Sequence, residues 1–124
     1  MSLARTTPIL RIFDEAKARA FYLDHLGFEV VFEHRVEPDS PLYLGVRRGD
    51  CTLHLSEHHG DASPGAAMRI EAADIDALRT ELLAKPYRYA RPDVETMRWG
   101  TRDMTVVDPF GNRLTFTSAI SVCP

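Results

Sequence analysis

Three of the five histidines in this 124-residue chain fall within one short stretch, "CTLHLSEHHGD", as His54, His58 and His59. Imidazole is a common metal ligand and titrates nearest neutral pH, so the spacing decides what such a cluster can do. A His-x-x-x-His step shares a face only on a helix, and here His54 sits in an alternating apolar–polar run that reads as a strand. His58 and His59 then fall beyond it as solvated loop residues. His54 is left as a single imidazole, either a hydrogen-bonding group lining a pocket or a structural one. Arg11 and Arg69 are the other pointed pair, each followed by isoleucine and each just upstream of a helix. A guanidinium on a half-buried sheet face must be paired or left wet. Either Asp103 or a glutamate neutralises these arginines, or at least one of them binds a carboxylate or similar anion through its fork. Tyr43 and Trp99 can stack on a flat ligand, and Trp99 can equally plug a subunit interface. Cys51 has no base beside it in sequence, which argues against a nucleophile. No nucleophile elbow, phosphate loop or nucleotide fingerprint is present.

The elements that must position these groups are legible in the pattern. "PILRIF" (8–13) is a strand opened by proline, with Ile9, Arg11 and Phe13 on one face and Leu10 and Ile12 on the other. Asp14 caps the helix "EAKARAFYLDHL", whose stripe is Ala18, Phe21, Tyr22 and Leu26, and Gly27 stops it. "FEVVFEHRV", "LYLGVRR" and "CTLHLSE" are strands, the last two joined by the turn Gly49-Asp50. After the loop "HHGDASPG" the order repeats: strand "AAMRIEA", a cap at Asp74 or Asp76, helix "IDALRTELLAK" ended by Pro86, the irregular extended "YRYARPDVETM", then "RWGTRDMTVVD", the turn "PFGN" and strand "RLTFTS". Val106, Leu114 and Phe116 belong to the core, and Thr105, Arg113, Thr115 and Thr117 to the other face. Two copies of one strand–helix–three-strand unit, about 7–57 and 65–118, make one domain spanning 1–124. In this alignment Arg11 matches Arg69, and "GDCTLHLS" matches "GNRLTFTS".

The bulk numbers exclude several classes. The length suits one domain, and 44% hydrophobic residues suffice for an ordinary core. A net charge of -3 with both signs interspersed argues against a nucleic-acid partner. The two cysteines, Cys51 and Cys123, do not make a disulfide framework. No apolar run spans a bilayer and no signal-peptide pattern opens the chain, so no membrane partner and a cytoplasmic location are expected.

The element order, together with "FYLDHLGF" after the first helix and "DPFGNRLTF" at the end, resembles the vicinal oxygen chelate superfamily of glyoxalases, bleomycin-resistance proteins and extradiol dioxygenases. The resemblance runs from about Pro8 to Ser118, and "RWGTRDMTVVDPFGNRL" looks most like the bleomycin-resistance branch. It implies an α+β fold in which two βαβββ modules form a curved mixed sheet, each module a half-cup whose wall includes the last hairpin. It places Arg11, Tyr43, His54, Arg69, Trp99, Asp103, Thr105 and Thr115 at or around a ligand cavity. The superfamily's enzymes hold a metal at positions that fall here at Thr7, His54, Gly65 and Thr115, of which only His54 is a good ligand. The implied function is a metal-free, cofactor-free homodimer that sequesters a small drug-like molecule without catalysis. The alternative is a metal-dependent lyase, isomerase or dioxygenase.

Overall fold

Two aspartates fix where the helices begin. Asp14 and Asp74 are extended residues whose carboxylates accept hydrogen bonds from the amides of Lys17 (2.9 Å) and Ala77 (3.0 Å). Of the two caps open in the sequence, Asp74 is the one used. In this computed structural model, which describes residues 1–87 and 91–120, strand β1 (Ile9–Arg11) leads into helix α1 (Glu15–Arg19), and β2 (Glu29–His34), β3 (Tyr43–Arg48) and β4 (Cys51–Ser56) follow. The second module runs β5 (Ala67–Glu71), α2 (Ile75–Ala84), β6 (Val94–Thr96), β7 (Thr101–Val107) and β8 (Arg113–Ala119). The expected extended segment 87–97 is strand only over Val94–Thr96, and its residues 88–90 lie outside the described part, as does Cys123.

The first helix departs from the simple reading. After Arg19 the chain widens into a π-helix over Ala20–His25, with the Leu26 amide donating to the Phe21 carbonyl five residues back. All four residues of the expected stripe are nonetheless buried. Gly27 then takes φ +74°, a left-handed turn that glycine enters without steric cost, and it ends the helix.

Each module makes a four-stranded mixed sheet, ordered β1-β4-β3-β2 and β5-β8-β7-β6, with the outer pairs β1–β4 and β5–β8 parallel. The fold is the α+β architecture of two repeated modules. The repeat, however, is offset from the one read in the sequence. Ile12 and Ala72, each two residues before a helix cap, donate to Ser56 and Thr117 respectively, both at 2.9 Å. Counted from the caps, Arg11 therefore matches Glu71, and Arg69 matches Ile9. The shared Arg-Ile pair suggested otherwise because local letters outweighed distance from the cap. The hairpins differ as well: two residues separate Arg48 from Cys51, whereas 108–112 separate Val107 from Arg113.

Leu10, Ile12, Leu44, Val46, Leu53 and Leu55 from one sheet join Met104, Val106, Leu114 and Phe116 from the other in one apolar cluster with both helices. At its heart the "DPFGN" turn binds the modules together. The Asp108 carboxylate accepts from the Tyr22 hydroxyl (2.6 Å), from the amides of Phe110 and Asn112, and from the Asn112 side chain (2.8 Å each). The Asn112 side chain also donates to the Arg11 carbonyl (2.9 Å) and accepts from the Ala66 amide (3.1 Å). Burial, then the charge of Asp108, raises the Tyr22 phenol far above its usual range, so it stays a donor.

Asp108→Ala would strand four donors in a dry site, and hydrogen bonds to charged groups are each worth about 1.5–3 kcal/mol. Urea denaturation should show a loss of about 3 kcal/mol or more, against about 1–2 kcal/mol for Tyr22→Phe. Equal, small losses for both would contradict this role.

Candidate functional site

Strand register lays out the open face of the first sheet in rows. One row carries Ile9, His54, Gly45 and Phe32, and the next carries Arg11, Ser56, Tyr43 and His34. Phe32 reaches this face because a bulge between Val30 and Phe32 reverses the alternation of β2. Its ring lies over Gly45, where a Cβ would come within 2.2 Å of the ring. It stacks beside Tyr43 (centroids 6.0 Å apart, planes at 14°) and meets His54 edge-on at 5.1 Å. The Tyr43 hydroxyl and His54 Nδ1 share a hydrogen bond of 2.8 Å. Burial, followed by the negative charge of Asp61, raises the Tyr43 phenol above its ordinary value, so it is protonated near neutral pH. These three rings form an aromatic floor.

The two arginines part company. Arg69 is paired: its guanidinium reaches both Asp103 oxygens at 3.1 and 3.3 Å and Thr117 Oγ1 at 3.2 Å, while Thr117 donates to Asp103 at 2.7 Å. Burial alone would raise the Asp103 carboxyl, but the bonds from Thr117 and Arg69 outweigh it and hold the group below its ordinary value. Arg11 makes no ion pair among the described residues. Its guanidinium lies 4.8 Å from the Phe13 ring, and its Nη1 is buried without a hydrogen-bond partner. Thr105 and Thr115 bond each other at 2.9 Å on the second sheet, beside Arg69.

The eight residues singled out in the sequence thus fall into two clusters and one outlier. Arg11, Tyr43 and His54 share the first sheet. Arg69, Asp103, Thr105 and Thr115 share the second. Trp99 stands in the turn before β7, 64% exposed. The sequence reading missed Phe32, hidden by the bulge, and Gly45, whose place between Tyr43 and Arg47 was a signal for the open face.

The residues present do not fit the superfamily's metal. Among the described residues no group of three or more His, Cys, Asp or Glu side chains is placed to hold an ion. His54 is flanked across its ladders by Ile9 and Gly45. Thr115 is occupied by Thr105, and Gly65 lies outside β5 in a left-handed turn.

Over residues 1–121 the sequence matches the glyoxalase superfamily, and the chain belongs to it. No curated protein matches it. Among solved structures, a bleomycin-binding protein from bleomycin-producing Streptomyces verticillus, complexed with copper(II)-bleomycin, is 34% identical over 98% of this chain and 99% of its own, with a TM-score of 0.69. A bleomycin resistance determinant encoded on the transposon Tn5 is similar in fold, at 22% identity, 94% and 98% coverage and TM-score 0.71. A superfamily member from Sphaerobacter thermophilus DSM 20745 gives 25%, 93% and 97%, and 0.69. No helix among the described residues is long and apolar enough to cross a membrane.

Removing Arg69 should strand Asp103, whereas removing Arg11 strands nothing. Because the Arg69 side chain is half exposed, Arg69→Gln should cost only about 1–2 kcal/mol in thermal or urea unfolding, and Arg11→Gln less than that. Asp103 has a folded pKa below its unfolded one, so its contribution is full above the ordinary carboxylate value and fades as pH falls through the folded value. The Arg69→Gln deficit should therefore shrink in acid. A deficit that grows as pH falls would contradict the pairing.

Proposed function

We propose that this protein captures a small, drug-like molecule on the aromatic floor of its first sheet and holds it without breaking a bond, in the manner of a bleomycin-binding protein. The carrying observation is the floor itself: Phe32, Tyr43 and His54 packed edge and face, with the Phe32 ring laid flat over Gly45, a platform on which a flat group can stack. The likeness to a protein that binds copper(II)-bleomycin supports this ligand class. A donor set unsuited to a divalent ion favours capture over the superfamily's metal-dependent chemistry. In this reading Arg11, which has no counter-ion among the described residues, is a ligand group, and Arg69 with Asp103 and Thr117 is scaffold.

We further place the protein in the cytoplasm as a homodimer. Unpaired strand edges and exposed apolar residues such as Phe13, Val31 and Trp99 suit coverage by a second copy. Antibiotic resistance by sequestration is the physiological role that follows.

Titration calorimetry with copper(II)-bleomycin should show saturable binding, weakened about tenfold or more by Phe32→Ala, and mass spectrometry should recover the ligand intact. Binding that ignores Phe32→Ala, or a ligand that is consumed, would sink the proposal. Light scattering should give about twice the chain mass of 14.0 kDa. A monomer throughout the micromolar range would remove the dimer from the account.

A further inference from the structure

The open face of the first sheet is polarised across its strands. β1 and β4 carry N–H donors, Arg11 and His54, while β3 and β2 carry the rings of Tyr43 and Phe32. Phe32 is 40% exposed, so its ring is open to a partner.

The donors at one end are unspent. Arg11 Nη1 is buried with no hydrogen-bond partner, and Nε and Nη2 make no hydrogen bond among the described residues. A buried N–H without an acceptor costs free energy until one arrives. Ser56, paired with Arg11 in the ladder, does not supply it: its hydroxyl accepts from the His58 amide (3.0 Å) and donates to Asp61 (2.6 Å). Asp61 is the acidic side chain whose charge reaches Tyr43, and it pairs with Ser56 and not with Arg11. His54 is a donor as well. The Tyr43 phenol makes no other hydrogen bond among the described residues, so its proton is spent on His54 Nδ1. A neutral imidazole that accepts at Nδ1 carries its own hydrogen on Nε2.

Strand spacing sets the size of a molecule that uses both ends. In the order β1-β4-β3-β2, Arg11 and Phe32 stand three strand steps apart. At about 4.8 Å per step their backbones are separated by about 14 Å. The long Arg11 side chain covers part of that span, and two linked rings fill the rest where a single ring falls short. Building on the capture reading above, we propose that this face selects an elongated aromatic acid. Its two linked rings stack over Phe32 and Tyr43, and its carboxylate meets the Arg11 fork beside the His54 donor.

Three probes separate charge from shape in calorimetric titrations of the full chain: biphenyl-4-carboxylate, the neutral biphenyl-4-carboxamide, and the single-ring benzoate. Biphenyl-4-carboxylate should bind about tenfold or more tighter than either of the others, the range of a charge-assisted hydrogen bond. Arg11→Gln should remove that advantage over the carboxamide and leave carboxamide binding within about twofold. Arg69→Gln, on the other sheet, should leave the preference intact. Equal binding of acid and amide, benzoate as tight as the biphenyl acid, a loss in Arg11→Gln that falls on acid and amide alike, or a preference abolished by Arg69→Gln would each overturn the proposal. Titration with copper(II)-bleomycin tells the two failures apart. If bleomycin still binds and depends on Phe32 while the acid is not preferred, this proposal falls and the capture reading stands. If neither compound binds, both fall.

Discussion

The Asp108 carboxylate is the group on which both halves of the molecule close. One residue in one turn ties the first helix through Tyr22 and, by ordering Asn112, the end of β1 and the start of β5. A buried carboxylate is tolerable only when its lone pairs are met, and here two backbone amides, a phenol and a side-chain amide meet them. The proline and the glycine around it follow from the turn: Pro109 presets its backbone, and Gly111 takes φ +89°. With that junction fixed, the core sides of the two sheets share one cluster, and the open faces are released to meet other molecules.

The two modules inherit different surfaces from this shared plan. The second sheet satisfies itself, with Arg69, Asp103 and Thr117 in one network and Thr105 on Thr115. The first leaves an aromatic platform and a guanidinium with no counter-ion among the described residues. Self-satisfied polar groups gain little from a ligand, since each new contact replaces an existing one. An aromatic platform and an unmet cation gain most. The asymmetry between Arg11 and Arg69 is thus the physical basis for choosing one face over the other. The short Gly49-Asp50 turn, set against the longer 108–112 turn, is a second asymmetry.

Much of the fold was legible because its signals are local. Alternation in "ILRIF" and "RLTFTS", the cap at Asp14 and the left-handed stop at Gly27 each act within a few residues. What was not legible depended on register. The bulge in β2 moves Phe32 to the open face, and no single-residue signal marks it. The match of Arg11 to Arg69 failed because equivalence is set by distance from the helix caps, which places Glu71 opposite Arg11. Both arginines lie on open faces, as the alternation required. That only Arg69 finds Asp103 is a fact of three-dimensional pairing across β5, β8 and β7, beyond what spacing can show.

Backbone amide shifts of the labelled protein, followed by NMR during titration with copper-free bleomycin, test the central claim most directly because they locate the ligand without altering the site. The account predicts the largest changes along the two rows that carry Ile9, Arg11, Phe32, Tyr43, Gly45 and His54, with little change at Arg69, Asp103 and Thr117. Changes centred on the Arg69 network, with the aromatic floor silent, would contradict it.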